Sequence, residues 1–200
     1  MNGSFETGDF TGWITQDIYP FIPLAVGAAG ISTAGGFGFF STSPTDGQYV
    51  AFTGFDGVGP GHITVAQELL VAPGTSTVTF DYRAAWDMQI VATSTVARLF
   101  DLEILASGGG SVLLDQNLIT AAPGSRNLDT GPLHGSVDVS SFANQTVRVQ
   151  FDWFVPEFFT GPGLAQLDNV QLHNTPLAAS PEPASLTLLG LGLAGLTGYG

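Results

Sequence analysis

The chain has 200 residues, of which 17 are acidic and only four are basic, so its formal net charge is −13 at pH 7. This charge excludes nucleic acid as a partner and disfavours binding to anionic lipid through a basic patch. Cysteine is absent, so neither a thiol nucleophile nor a disulfide is available.

Short segments of alternating apolar and polar residues recur along the chain, separated by clusters of Gly, Pro, Asp, Asn and Ser. This period of two predicts β-strands, and outside the C-terminal segment no long stretch keeps the apolar period of a helix. We predict strands at 48–53, 63–71, 76–85, 99–106, 112–117, 136–139, 146–155 and 165–173. We also expect a helical turn at 140–143, a glycine-rich loop at 27–38 and turns at 57–61 and 107–111.

Alternation divides the strand residues between two faces, because successive side chains of a strand point in opposite directions. The set predicted to face the core includes Phe80, Tyr82, Phe151 and Trp153. The set predicted to face outward includes Asp81, Arg83, Asp101, Glu103, Arg148, Gln150, Asp152 and Phe154. Two sheets that close their apolar faces together form a β-sandwich, so the fold class is all-β.

Two segments near the ends of the predicted domain carry a family resemblance. Residues 2–13 read NGSFETGDFTGW and residues 167–170 read LDNV. They resemble the opening and closing motifs of galactose-binding-like jelly rolls, a group that includes several carbohydrate-binding modules. Further similar segments follow in the same order at 46–52, 67–74 and 138–149. The resemblance implies a jelly-roll β-sandwich over residues 1–175.

In many members of this group a structural calcium ion joins the first and last strands. The resemblance assigns its carboxylate ligands to Glu6 and Asp168, with Asp9 and Asn2 as further candidates. Calcium takes six to eight oxygen ligands, which carboxylates and carbonyl groups can supply where the chain ends meet. In the alternative arrangement, Glu6 and Asp168 accept hydrogen bonds from turn amides and bind no ion.

Recognition of a glycan requires aromatic rings that stack on sugar CH groups and polar groups that bind hydroxyls. The predicted ligand-binding residues are Phe154, Phe158, Asp81, Arg83, Gln150 and Asp152. Trp13, Trp86 and Phe159 are further aromatic candidates, but we expect both tryptophans to be buried. The apolar stretch 154–161 either contributes to binding or covers an open end of the sandwich.

Catalysis is the weaker interpretation of the outward-facing charges. Two carboxylates about 5–10 Å apart are what a glycosidase needs. Charges of both signs on a sheet more often form cross-strand pairs, worth about 0.2–1 kcal/mol each. His62, His134 and His173 lack the close spacing of a zinc site, and no Gly-x-Ser-x-Gly sequence is present. We therefore predict no enzymatic activity.

The C-terminal segment has its own signature. Pro181, Glu182 and Pro183 precede the uncharged run 184–200, and residues 176–183 have the composition of a linker. This arrangement resembles the PEP-CTERM sorting tail, in which the tripeptide, a transmembrane-type stretch and a basic cluster follow one another. The resemblance implies recognition by an exosortase at the inner membrane. In the alternative, the segment packs on its own domain.

Two features of a sorted protein are missing from the printed sequence, namely a basic cluster after residue 200 and a signal peptide before Met1. We expect the reading frame to supply both. As a helix, seventeen residues would measure about 25 Å, slightly less than the roughly 30 Å core of a bilayer.

Together these features predict an exported, exosortase-sorted protein of the cell envelope or the extracellular biofilm matrix, non-catalytic and able to bind polysaccharide. A structural or adhesive surface protein without sugar specificity is the first alternative. A glycoside-active enzyme is the more distant one.

Overall fold

The computed structural model describes residues 2–18, 21–31, 37–55, 58–90, 95–158 and 161–176. Within these ranges the chain forms eleven strands and one short 3-10 helix at Ser140–Phe142. The strands are β1 (Ile14–Gln16), β2 (Ala25–Ala28), β3 (Tyr49–Thr53), β4 (Gly61–Leu70), β5 (Thr75–Asp87), β6 (Arg98–Ala106), β7 (Val112–Ala121), β8 (Arg126–Asn127), β9 (Leu133–Asp138), β10 (Thr146–Val155) and β11 (Gly163–Thr175).

The strands form two antiparallel sheets that pack face to face. The five-stranded sheet has the order β1-β4-β10-β6-β7. The six-stranded sheet has the order β2-β3-β11-β5-β8, and β9 also pairs with β5. Along the chain, successive strands lie in opposite sheets except at three places, where β2 is followed by β3, β6 by β7 and β8 by β9 within one sheet. This is the jelly-roll β-sandwich that the sequence predicts.

Aromatic side chains fill the space between the sheets. The Phe80 ring of β5 meets the Phe151 ring of β10 edge to face, with centroids 5.0 Å apart. Trp153 stacks on Phe100 of the neighbouring strand, with centroids 4.6 Å apart and an interplanar angle of 5°. All four side chains have no exposed surface, and Tyr82 packs against them half-buried. The predicted inward-facing residues therefore do face the core.

The opening motif, residues 2–13, forms turns that precede β1, and it attaches the start of the chain to β11. Val170 N donates a hydrogen bond to Gly3 O at 2.9 Å. A Cβ atom on Gly3 would lie 1.8 Å from Val170 O, so this close approach requires glycine. Phe5 stacks on Trp13, and both are buried as expected for Trp13. Trp86 is half-buried against the core.

All eight predicted strands are present, with ends that differ by at most a few residues. The short helix lies at the predicted helical turn, and the predicted turn at 107–111 joins β6 to β7. Three short strands, β1, β2 and β8, are absent from the prediction. The predicted loop at 27–38 is wrong at its beginning, because Gly27 and Ala28 belong to β2 and pair with Val50 and Tyr49 of β3. Gly27 and Ala28 become part of a strand because β3 lies beside them, and the glycine-rich sequence does not reveal that neighbour. Residues 32–36 of this predicted loop lie outside the described residues.

The predicted linker and apolar segment lie outside the described residues, apart from residue 176. Pro181, Glu182, Pro183 and Phe159 are among the residues outside. In the described part of the chain, no helix has the length and apolar character needed to cross a membrane.

Candidate functional site

The structure divides the predicted ligand-binding residues between the two sheets. Gln150, Asp152 and Phe154 point outward from β10, the central strand of the five-stranded sheet. Asp81 and Arg83 point outward from β5 in the six-stranded sheet. The two groups lie on opposite outer faces of the sandwich, so the predicted set does not form one site.

The outer face of the six-stranded sheet is partly covered by the chain's own segment between β2 and β3. Phe40 of this segment packs on Ala85 and Leu164 in a small buried cluster. The Arg83 guanidinium lies 4.2 Å from the centre of the Phe40 ring, and its Nε donates a 2.7 Å hydrogen bond to Asp129 Oδ1. Arg83 therefore holds this segment and a neighbouring loop in place.

Asp81 has a comparable structural role. Its Oδ1 is 2.7 Å from His134 Nδ1, and its Oδ2 accepts a 3.0 Å hydrogen bond from Asn169 Nδ2. Burial by itself raises the pKa of Asp81, but the hydrogen bonds from His134 and Asn169 outweigh burial and lower it. Asp81 thus links β5 to β9 and to β11, where Asn169 has a φ of 52° in a bulge.

Phe158 lies beyond β10 in the loop that leads to β11. Its backbone forms an isolated antiparallel bridge with Val58, and the residue is 60% exposed. Phe154 and Val155, the first residues of the predicted apolar stretch, belong to β10 itself. Phe154 and Phe158 are therefore placed by different elements.

The outer face of the five-stranded sheet carries a cluster of acidic side chains at its centre. Strand register sets Asp152 of β10 directly opposite Asp101 of β6, and Glu103 of β6 opposite Asp115 of β7. Because paired residues of antiparallel strands share a face, all four carboxylates project to the same side. We call Asp101, Glu103, Asp115 and Asp152 the carboxylate row.

Amide side chains lie among these carboxylates. Gln150 Nε2 donates a 2.9 Å hydrogen bond to Glu103 Oε2. Asn117 Nδ2 donates a 2.7 Å hydrogen bond to Asp101 Oδ1. The face therefore combines donors and acceptors of the kind that bind sugar hydroxyls.

An aromatic surface adjoins one end of the carboxylate row. His62 of β4 lies opposite Phe154 of β10, and their ring centroids are 4.9 Å apart. His62 Nδ1 is also 2.7 Å from Asp152 Oδ2, and the His62 side chain is 51% exposed. Phe154 is half-buried. These contacts join the ring pair to the carboxylate row.

At the other end of the face, the positive charge is neutralised within the sheet. Arg148 Nε donates a 2.9 Å hydrogen bond to Glu68 Oε1, which also accepts one from Gly108 N at 3.0 Å. Burial raises the pKa of Glu68, but these hydrogen bonds lower it by more. Arg148 is thus unavailable to offset the carboxylate row.

The carboxylate row is electrostatically strained. Burial, followed by repulsion among neighbouring carboxylates, raises the pKa values of Asp101, Glu103 and Asp152. Asp152 is the most enclosed, with 6% of its surface exposed. Its Oδ1 is buried and has no hydrogen-bond partner among the described residues. A buried carboxylate oxygen without a donor is costly, so Asp152 favours any arrangement that adds positive charge nearby.

Sequence reasoning missed His62, Asp115 and Asn117 as members of this face. Asp115 and Asn117 alternate within the predicted strand 112–117, so parity could have placed them together on one face. Their position beside β6 follows only from strand pairing. His62 precedes the predicted strand 63–71 by one residue, and we considered it only as a zinc ligand.

The predicted calcium ligand Asp168 is occupied by hydrogen-bond donors. Its Oδ2 accepts hydrogen bonds from Thr45 N at 2.7 Å, Thr45 Oγ1 at 3.2 Å and Asp46 N at 3.1 Å. Its Oδ1 accepts one from Asn169 N at 2.7 Å. Three donors thus converge on Oδ2, and one reaches Oδ1. Burial outweighs these hydrogen bonds and raises the pKa of Asp168.

Glu6, the second predicted calcium ligand, binds backbone amides just after Thr45 and Asp46, where the segment between β2 and β3 leads into β3. Its Oε1 accepts hydrogen bonds from Gln48 N and Tyr49 N, both at 2.9 Å. A Cβ atom on Gly47 would come within 2.2 Å of the Glu6 carboxyl group, and Gly47 has a φ of 69°, so glycine is required there.

In the described geometry both carboxylates accept hydrogen bonds from backbone amides, as in the alternative arrangement. No group of three or more His, Asp or Glu side chains in the described ranges is arranged to hold a metal ion. Calcium binding by Glu6 and Asp168 stays a prediction.

No protein-family model matches the sequence, and no curated protein matches it. Solved structures do match the fold. The carbohydrate-binding module TmCBM61, determined in complex with β-1,4-galactotriose, has a TM-score of 0.52 and 14% identity, covering 87% of this chain and 96% of the module. The K3 adhesin domain of Lys-gingipain from Porphyromonas gingivalis W83 has a TM-score of 0.51 and 18% identity, covering 87% of this chain and 98% of that domain.

The same architecture also occurs in an enzyme. The stig cyclase Fisc from Fischerella sp. TAU has a TM-score of 0.52 and 17% identity, covering 88% of this chain and 95% of the cyclase. At these identities the similarities establish the fold alone. The chain therefore has the jelly-roll fold of carbohydrate-binding modules, a fold that other functions also use.

The amide-binding role of Asp168 predicts a stability loss that does not depend on calcium. Both Asp168 oxygens accept hydrogen bonds, so Asp168→Asn must turn an amino group toward one set of donors, and we expect the free energy of unfolding to fall by about 1–3 kcal/mol. Urea denaturation in calcium and in EGTA should give the same loss. Glu6→Gln is the control, because its amide oxygen can still accept the two hydrogen bonds. Stabilisation of the wild type by calcium, abolished in both variants, would instead establish the calcium site.

Repulsion within the carboxylate row predicts a characteristic pH dependence. The raised pKa values mean that the folded state binds protons more tightly than the unfolded state. The stability due to these groups is therefore complete below their ordinary values of 3.8 for Asp and 4.5 for Glu, and is lost as the pH rises through the raised values. We expect Asp101→Asn to stabilise the protein at neutral pH by up to about 1 kcal/mol. This gain should disappear in acid.

Denaturation of the wild type and Asp101→Asn across pH measures this effect, and Asp138→Asn provides a control of opposite sign. Hydrogen bonds from Ser140 lower the pKa of Asp138, so that carboxylate stabilises the fold at neutral pH and loses its contribution as the pH falls. Asp138→Asn should therefore be less stable than the wild type at neutral pH. If Asp101→Asn behaved in the same way, the carboxylate row would not be under repulsion.

Proposed function

We propose that this chain is a non-catalytic polysaccharide-binding domain that holds its glycan on the outer face of the five-stranded sheet. The observation that carries the proposal is the adjacency of the Phe154 and His62 rings to a continuous set of polar side chains. A ring that offers its face to sugar CH groups, next to groups that exchange hydrogen bonds with hydroxyls, meets the two requirements of glycan recognition.

The arrangement of the two sheets favours this face over the opposite one. On the six-stranded sheet, Phe40 of the chain's own segment covers part of the face by packing on Ala85 and Leu164, and Arg83 contacts the Phe40 ring. On the five-stranded sheet, His62 is half-exposed. TmCBM61, which shares the fold, is a carbohydrate-binding module solved with a bound galactotriose. That similarity supports the proposed class of ligand but not a particular sugar.

Binding without hydrolysis is the simpler use of these carboxylates. Asp101 and Asp152 lie directly opposite one another in adjacent strands, and each is hydrogen-bonded to a neighbouring side chain. A glycosidase needs its two carboxyl groups on either side of the scissile bond, with a pKa matched to each role. We propose that the pair belongs to a binding surface, and release of reducing sugar by the purified protein would contradict this.

Replacement of Phe154 tests the binding face. If the Phe154 ring stacks on the glycan, Phe154→Ala should weaken binding at least about tenfold, which corresponds to about 1.4 kcal/mol. A glycan array identifies a bound polysaccharide, and titration calorimetry with the matching oligosaccharide gives the affinity. Phe158→Ala, measured in parallel, determines whether the neighbouring loop contributes.

Phe21→Ala is the matched control, because Phe21 is a 70% exposed phenylalanine that lies outside the strands of the proposed face. It should leave the affinity unchanged. Equal losses for Phe21→Ala and Phe154→Ala, or glycan binding that Phe154→Ala does not affect, would contradict the proposed face. Absence of binding across the array would favour a structural or adhesive surface protein without sugar specificity.

We further propose that the domain is exported and sorted to the cell envelope or the extracellular matrix through its C-terminal tail. Pro181, Glu182, Pro183 and the apolar run that follows support this proposal by their resemblance to PEP-CTERM tails. In this proposal an exosortase and the inner membrane are partners of the tail, while the jelly roll supplies the binding function.

The sorting proposal is tested with residues 176–200 fused to an exported reporter. In cells that contain an exosortase, and with a basic cluster added after residue 200, we expect the reporter to be processed and released from the inner membrane. Replacement of both Pro181 and Pro183 by alanine should leave it membrane-bound, whereas the control Pro176→Ala, which changes a linker proline outside the tripeptide, should not affect processing. Identical fractionation with and without exosortase would contradict sorting.

A further inference from the structure

We infer that the outer face of the five-stranded sheet selects a polysaccharide that carries ammonium groups, such as a partly de-N-acetylated amino-sugar polymer. This inference rests on the proposed function, because it names the ligand class of the same face. It is carried by the excess of negative charge on that face and by the incomplete hydrogen bonding of Asp152.

The charges that strand register places on this face are unbalanced. Among the outward-facing described residues of β4, β6, β7 and β10, the acidic ones are the carboxylate row and Glu68. The permanently charged basic residue among them is Arg148. Arg148 is paired with Glu68. The remaining basic neighbour of the carboxylate row is His62, at its edge, which is charged only when protonated.

The second observation is the buried oxygen of Asp152. Its Oδ2 faces His62 Nδ1, but its Oδ1 is enclosed without a hydrogen-bond donor among the described residues. The side chain is only 8% exposed, so water does not readily screen its charge. Its negative potential therefore adds to that of Asp101 directly opposite it.

The spread of the carboxylate row favours an extended organic cation over a metal ion. The row spans β10, β6 and β7, and neighbouring strands lie about 4.8 Å apart, so its width is roughly 10 Å. Within the described ranges these side chains do not form a group that could hold a metal ion. A polymer with repeated ammonium groups can meet carboxylates distributed in this way.

The chemistry of the donors also favours an amine over a neutral sugar. A carboxylate only accepts hydrogen bonds, and an ammonium group brings three N–H donors together with a positive charge. A hydroxyl group brings one donor and no charge. The net charge of −13 also repels polysaccharides that carry carboxylate or sulfate groups.

Matched oligosaccharides test this inference. Glucosamine oligomers with β-1,4 and with β-1,6 linkages are prepared in N-acetylated and in free-amine form, and calorimetry measures their affinities at the same pH in low and high salt. We expect a free-amine form to bind at least tenfold more tightly than its N-acetylated partner. This preference should decrease in high salt, because charge contributes to it.

Two variants that each remove one negative charge separate a specific site from general attraction to an acidic protein. Asp101→Asn changes the carboxylate row, and Asp138→Asn changes the opposite sheet. We expect Asp101→Asn to reduce the preference for the amine severalfold and Asp138→Asn to leave it unchanged. Because the asparagine side chain is close in size to aspartate, thermal denaturation suffices to establish that both variants are folded.

The outcomes separate a failure of this inference from a failure of the proposed function. Equal affinity for free-amine and N-acetylated forms of both linkages would overturn the inference, as would equal effects of Asp101→Asn and Asp138→Asn. The proposed function would survive either result if a neutral glycan bound in a manner that Phe154→Ala weakened. If no glycan bound in a way that depended on Phe154, the proposed function itself would be wrong.

Discussion

The packing of aromatic rings between the two sheets is the constraint on which the rest of the structure depends. Phe151 and Trp153 of β10 meet Phe80 of β5 and Phe100 of β6, and all four are fully buried. Once these rings face inward, the alternation of a pleated strand forces the residues between and beside them outward. The position of Asp152 on the outer surface is therefore a consequence of the core.

The two outer faces of the sandwich then have different uses. On the six-stranded sheet, the chain covers its own strands with Phe40, and Arg83 and Asp168 hold the covering segment through hydrogen bonds and a ring contact. The same segment contacts Glu6, so the beginning of the chain, its middle and its last strand are joined there. The five-stranded sheet instead carries a row of polar groups, with the Phe154 ring at one end of that row.

The carboxylate row lowers the stability of the folded state because of where its members lie. Like charges in neighbouring strands repel one another, and burial of Asp152 adds to this cost. A sheet selected only for stability would place opposite charges there, as Arg148 and Glu68 do at the other end of the same face. Repulsive groups retained on the proposed binding face are consistent with a site that receives a charge from its ligand.

The sequence by itself determined the all-β class, the eight main strands and the parity of β10, because a period of two is a local property of the chain. It missed β1, β2 and β8, since strands of two to four residues are defined by their partners. The candidate face shows the same division. Gln150, Asp152 and Phe154 could be grouped from one strand, but Asp81 and Arg83 could not be separated from them. Only the tertiary structure decided which strands became neighbours, because strand pairing joins residues far apart in sequence and leaves no periodic signal.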